Sequence, residues 1–321
     1  MSSVAPTRNV LAILTDARPA RYWPNTGLTP DAAPFMPNLM IGKDISPEPG
    51  LYVTATPIGN LADITYRAVA ILKAADLILC EDTRQTAKLC AAYGIDTKRM
   101  PYHDHNASRV RPGILKNLAE GAVICLVSDA GTPLISDPGY KLVRDARDAG
   151  IRVFPVPGAA AAIAALSAAG APSDQFHFAG FLPSKQGARK KLLDALAGID
   201  ATLIFYESAS RLSPALAAMA ESFGDRRGVV ARELTKMHEE FREDTLLNLA
   251  QVYAEKPPKG EIVIVVFPPE AMAAGPEDID AFLTDALTRM SVKEAATEAA
   301  QRLGISRKEA YSRALELKDG K

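Results

Sequence analysis

The run SDAGTPLISDPG, Ser128 to Gly139, decides the fold. It follows an apolar stretch, Ala122 to Val127, that predicts a buried strand. Beyond it, Leu142, Val143 and Ala146 mark one apolar face of a helix. A strand-to-helix connection needs little more than a glycine and a cap. This one holds Gly131, Gly139, Pro133, Pro138, Asp129 and Asp137. Such density fixes the backbone almost residue by residue, which suits a loop that holds a ligand. Asp137 stands where it can cap the following helix, with Pro138 in the first turn, where its missing N–H costs nothing. Asp129 has no such role and is the stronger ligand candidate.

The same alternation extends both ways along the chain. Apolar runs at 51–55, 77–80, 123–128 and 152–156 predict strands, followed by others at 176–181, 202–206, 229–232 and 262–267. Helical patterns separate most of them, so the body reads as α/β. Pro157 and Gly158 mark a boundary between two α/β domains, 49–157 and 158–270, with a ligand cleft expected between them. Residues 277–321 read as a small helical domain. One helix ends at Gly304 and another begins near Ser306, where Ser306 and Glu309 form a capping box. Residues 1–48 carry seven prolines and no sustained period, and are expected to form a poorly ordered extension. Met36 and Met40 are alternative starts within it.

Composition narrows the function classes. Apolar residues make up 48% and charged residues 23% of 321, ordinary values for a globular protein. A net charge of −1 supplies no global field for nucleic acid. The three cysteines, Cys80, Cys90 and Cys125, have no metal spacing and read as buried free thiols of a cytoplasmic protein. The uncharged stretch 153–173 is broken by Pro155, Pro157, Gly158, Gly170 and Pro172, so no membrane span is expected.

Four other runs gather chemistry beside predicted strands. TPIGNLADIT (Thr56–Thr65) ends the first strand; Gly59 permits a turn there, and Asn60 or Asp63 can cap a helix. In CEDTR (Cys80–Arg84), Asp82 reads as a cap, and Glu81 remains open. PVPGAAAAIAALSAAG (Pro155–Gly170) joins a strand to an alanine-rich helix, which core packing alone explains. FYESASRL (205–212) and ARELTKMHEEF (231–241) carry more charge than caps require. Salt bridges explain part of it, and a phosphate grip through Arg and Lys is the alternative. No GxGxxG follows the first strand, and no GxxxxGK[ST] occurs, so neither a dinucleotide nor a P-loop nucleotide is indicated.

In this order, TPIGNLADIT, EDTR, SDAGTPLISDPGY, PGAAAAIAALSAAG, FYES, ARELTK and KGE resemble the ribosomal RNA small-subunit methyltransferase I family across about residues 50–268. The resemblance implies the tetrapyrrole-methylase fold, two α/β domains with the cofactor cleft between them, plus a small C-terminal helical domain. It implies a homodimer that uses S-adenosylmethionine to methylate the ribose 2′-oxygen of a cytidine in 16S rRNA of the small ribosomal subunit. It places the cofactor against Thr56, Pro57, Gly59, Ser128, Asp129, Ala130, Gly131, Thr132, Ile135, Ser136 and Asp137. Pro157, Gly158 and Ala161 join from the PG turn, and Phe205 and Tyr206 from the second domain. Lys236 and Glu233 become the candidates for proton removal at the acceptor. Arg84, Arg211 and Arg232 become candidate contacts to substrate phosphate or ribose. No metal is implied.

Two rivals stand beside this reading. One is a methyltransferase of the same fold acting on a tetrapyrrole or another small molecule. The other is an RNA-binding ribosome-assembly factor without chemistry.

Overall fold

The computed structural model describes residues 46–269, 276–303 and 305–319. The extension expected at 1–48 therefore lies outside the described residues except for its last three. The described residues belong to one compact unit, Asp44–Lys321.

Five strands form the first sheet: β1 (Gly50–Thr54), β2 (Leu77–Cys80), β3 (Arg99–Pro101), β4 (Val123–Leu126) and β5 (Val153–Val156). They run in the order β3-β2-β4-β1-β5, and every pairing is parallel. Parallel strands are covered on both faces, which is why these read as continuous apolar runs. Tyr52, Ile78 and Cys125 face one core, shared with Ala68, Ile71 and Leu72 of α1 (Tyr66–Ala74). Leu51, Leu79 and Ile124 face the other, shared with Ile114 and Leu118 of α3 (Asp104–Ala119) and Leu142 of α4 (Tyr140–Asp148). The helix α2 (Thr83–Tyr93) follows β2. Asp82 caps it as expected, its carboxylate accepting the Arg84 N–H at 2.8 Å. Thr65 caps α1, whereas Asn60 caps a single 3-10 turn, Leu61–Asp63.

The second sheet holds β6 (Phe176–Phe181), β7 (Thr202–Ser208), β8 (Arg227–Arg232), β9 (Glu240–Thr245) and β10 (Glu261–Val266) in the order β6-β7-β10-β8-β9. Only β6 and β7 pair in parallel; the rest is antiparallel. Three helices, α6 (Gln186–Leu196), α7 (Leu212–Phe223) and α8 (Leu246–Glu255), share a core with Leu203, Phe205, Ile262 and Ile264. The alanine-rich α5 (Ala161–Ala168) packs on the opposite face, with Ala162 and Ala165 against Ile204, Val263 and Val265. Small side chains let this helix lie close to the strands. It follows β5 of the first sheet yet covers the second, so the chain crosses between the sheets at 157–160.

Two strands escaped the sequence reading. β3 is three residues long. β9, EFREDT, is an edge strand with a single apolar residue, Phe241, and so shows no apolar alternation. The small helical domain expected at the C-terminus carries three helices: α9 (Pro276–Ala286), α10 (Val292–Leu303) and α11 (Arg307–Asp319). They bury Leu283, Ala295, Ala299, Ala310 and Ala314 together. The Ser306 hydroxyl accepts the Glu309 N–H at 3.1 Å, as the capping box requires.

Candidate active site

The helices after β1 and β4 leave their strands in opposite directions, toward β2 and toward β5. Adjacent strands whose connections diverge open a crevice at their carboxyl ends. The two loops there are laced together. Thr56 and Gly131 exchange both backbone hydrogen bonds, at 2.9 and 3.0 Å. The Thr56 hydroxyl donates to Ser128 O, and the Ser128 hydroxyl donates back within its own loop to Ala130 O or Gly131 O. Gly131 has φ +80°, a conformation that L side chains rarely adopt. Thr132 donates to Ala159 O at 2.9 Å, which ties the loop to the PG turn. Gly158 is required by close approach, since a Cβ there would stand 2.9 Å from the Ala55 Cβ.

A cavity of about 380 Å³ opens beside these loops. From the first sheet it is lined by Ile58, Asp129, Ala130, Gly131, Thr132, Ile135, Ser136 and Asp137; Ala160 and Ala161 follow from the crossing. Phe181, Tyr206, Glu207, Ser208, Leu234 and Gly260–Val263 complete it. Tyr206 seats the crossing helix, accepting the Ala162 N–H at 3.1 Å, and lies edge-on to Phe181.

Not every expected residue lines the cavity. Phe205 does not: alternation along β7 turns it into the core under α7, fully buried, while Tyr206 takes the cavity side. Thr56 and Ser128 are buried braces behind the wall. Pro57, Gly59, Pro157 and Gly158 shape the neighbouring turns and lie outside the lining. Arg84 is 86% exposed and pairs with Asp82. Arg232 pairs with Glu240 at 2.8 Å. Arg211 reaches Glu207 at 3.1 Å and donates to Leu182 O.

The readings of both loop aspartates change. Gly139 precedes α4 as its cap, with no side-chain bond, so Asp137 does not cap that helix. Positive φ at Leu134 (73°) and Ser136 (66°) reroutes the loop and leaves Asp137 on the cavity wall. Burial, then the charge of Glu81, push its carboxyl up to about 6, with Ser128 pulling the other way. Asp129 has a structural partner after all: its Oδ1 accepts the Asp82 N–H at 3.0 Å, linking the β2 and β4 loops.

The ELTK segment forms a strained turn, with Glu233 at φ 52° and Thr235 at φ 65°. Lys236 Nζ lies 3.0 Å from Glu233 Oε1 and 2.8 Å from Glu261 Oε2. Burial works against the Lys236 ammonium, but its bonds to Glu261 and Glu233 outweigh it and raise the pKa. An amine held as a cation has no lone pair for a proton, which weighs against Lys236 as base. The Lys236 bond, then the Glu261 N–H, lower the pKa of Glu233, which makes it a weak proton acceptor. The Lys236 stem instead packs on the first loop: a Cβ at Gly59 would meet its Cγ at 2.6 Å.

Residues 50–250 match the Tetrapyrrole (Corrin/Porphyrin) Methylases family, and residues 273–318 match the RsmI C-terminal HTH domain. The ribosomal RNA small subunit methyltransferase I of Mesorhizobium japonicum is 51% identical over 87% of this chain and 97% of its own. That of Escherichia coli O157:H7 is 48% identical over 83% of this chain and 94% of its own.

The chain belongs to the ribosomal RNA small subunit methyltransferase I family.

Solved structures agree on the fold. Diphthine synthase aligns with TM-score 0.55 at 15% identity, over 68% of this chain and 89% of its own. A cobalt precorrin-4 methyltransferase aligns with TM-score 0.53 at 18% identity, over 68% and 94%. The methyl donor of the methyltransferase I family is S-adenosylmethionine. The cavity suits that group: Asp129, Asp137, Glu207 and Glu261 line it, and no Lys or Arg does among the described residues. Carboxylates favour a sulfonium cation, and a lining without cations fits a ligand without phosphate. The volume lies within the range of small-molecule sites.

The residues missed from sequence come from β6, β7, β10 and the ELTK turn. Of these, FYES and ELTK carried a signal, as charged runs beside strands, and KGE through the family resemblance.

Proposed function

We propose that this chain transfers a methyl group from S-adenosylmethionine to the ribose 2′-oxygen of a cytidine in 16S rRNA, cytidine 1402 in the family's assignment. The carrying observation is near-half identity to methyltransferase I sequences over almost their whole length. The acid-lined cavity where the β1 and β4 loops meet supports the same reading. The substrate is the assembled small subunit, since a net charge of −1 offers no broad basic surface for naked RNA. The protein acts in the cytoplasm as a homodimer; no helix among the described residues is long and apolar enough to cross a membrane.

In this reading, Asp129, Ala130, Gly131, Thr132 and Ile135 hold the cofactor with Ala161 and Tyr206. When bound, S-adenosylmethionine supplies an electrophilic methyl carbon. The chain supplies orientation, exclusion of water and a place for the hydroxyl proton. Arg84, exposed beside the loop crevice, and the basic residues of the C-terminal helices face the rRNA.

The test uses small subunits from cells lacking the modification and cofactor labelled in its methyl group. Label in 16S rRNA that survives alkaline hydrolysis as a 2′-O-methylated dinucleotide is the expected result. Label on a base, or none in the rRNA, overturns the proposal.

A further inference from the structure

Four carboxylates line the cavity, and three are committed elsewhere. Asp129 accepts the Asp82 N–H. Glu207 is buried against Arg211 and accepts the Ser208 N–H at 2.7 Å. Glu261 holds Lys236. Asp137 has neither a cation nor a backbone N–H donor among the described residues; the Ser128 hydroxyl is its polar neighbour. It is also freed from helix capping, because Gly139 is the N-cap of α4.

The loop that presents Asp137 is built to hold it there. Leu134 and Ser136 keep positive φ, which ordinary side chains adopt only when the surroundings enforce it. Gly180, at the β6 bulge with φ +68°, makes room for Ser136, whose Oγ would stand 3.1 Å from a Cβ at that position. The loop is thus pinned between the two sheets.

We propose that Asp137 is the general base that takes the proton from the acceptor hydroxyl. This rests on the ribose-hydroxyl reading above. An Asp137 carboxylate oxygen accepts the 2′-hydroxyl proton while an electron pair of the ribose 2′-oxygen forms the new bond to the methyl carbon. The carbon–sulfur bond breaks with its pair leaving on sulfur, and the proton passes from Asp137 to water.

The groups facing Asp137 set its titration. Glu81 approaches from the end of β2, Asp129 from its own loop and Tyr206 from β7, while Glu207 and Glu261 share the cavity. Burial and Glu81 bring it to about 6. It is ionised and able to accept a proton above that pH, and protonated below it. Turnover therefore rises with pH through about 6 and then levels.

Asp137→Asn keeps the shape and removes the base. Three measurements on the full chain decide the proposal. They are the single-turnover rate on small subunits against pH, cofactor affinity by calorimetry, and carboxyl titration by carbon-13 NMR of the cofactor-free protein. The expected result is a rate at pH 8 lowered roughly 100-fold or more, with cofactor affinity lowered only by the several-fold that loss of one lining carboxylate implies. The acid limb disappears in the variant, and an aspartate signal titrating near 6 is present only in the wild type. A wild-type rate in Asp137→Asn, a retained acid limb, or affinity that falls as far as the rate overturns the proposal. So does titration of Asp137 in the ordinary carboxylate range. Wild-type protein inert toward the subunit overturns the ribose reading and this assignment with it. A wild type that methylates, with an equally active variant, overturns the assignment alone.

Discussion

An acid whose folded pKa is raised destabilises the fold whenever it is ionised. Asp137 goes from 3.8 to about 6, so the folded state binds more protons than the unfolded state between those values. Stability contributed by this group falls as pH rises through that window and stays low above it. Asp137→Asn removes the penalty. Thermal or urea unfolding of the variant at pH 8 is expected to show a gain of about 1–3 kcal/mol over wild type, and little gain at pH 3.5. Equal shifts at both pH values would mean that the side chain acts through packing instead. The sequence hid this role for a local reason. An aspartate followed by proline just before a helical pattern reads as a cap, and only the turns at Leu134 and Ser136 carry it elsewhere. Asp82, whose neighbours keep ordinary backbone angles, caps as its position predicts.

The strained ELTK turn is held by a neighbouring element, the Lys259–Glu261 segment entering β10. Glu233 N–H donates to Glu261 O, and Glu261 N–H donates back to Glu233 Oε1. Gly260 sits at φ +95°, and a Cβ there would fall 2.2 Å from Glu233 Oε1. Gly260→Ala must therefore displace the carboxylate that fixes Lys236. Urea unfolding is expected to show a loss of about 1–3 kcal/mol, with weaker cofactor binding because Glu261 and Gly260 line the cavity. Unchanged stability would show that the turn adapts at no cost. At this scale, legibility followed burial. β1, β2 and β4 are enclosed on both faces and announce themselves as apolar runs. β9 pairs along one edge with a polar sequence, so its strand character comes from its neighbour β8 and not from its own pattern.

Across the whole molecule, the two-sheet plan was readable because each sheet needs its own apolar strands and covering helices. The cavity was only half readable. Its first-sheet wall lies in one dense run, whereas Phe181, Glu207, Leu234 and Glu261 arrive from separate elements and meet only through tertiary packing. What packing assembles is a field of four carboxylates with no lining cation among the described residues. Methyl transfer removes the sulfonium charge and leaves nearly the same shape, so in the proposed reading this field separates donor from product. Asp129→Asn tests it with little structural disturbance, because the amide Oδ1 can still accept the Asp82 N–H. A unit charge a few ångströms away is worth about 1–4 kcal/mol between water-like and protein-like screening. Calorimetry is therefore expected to show S-adenosylmethionine affinity lowered about 5-fold or more, with S-adenosylhomocysteine affinity nearly unchanged. Added salt should narrow the wild-type preference in the same direction. Equal losses for both ligands would mean that Asp129 serves the cavity through the loop it braces and not through its charge.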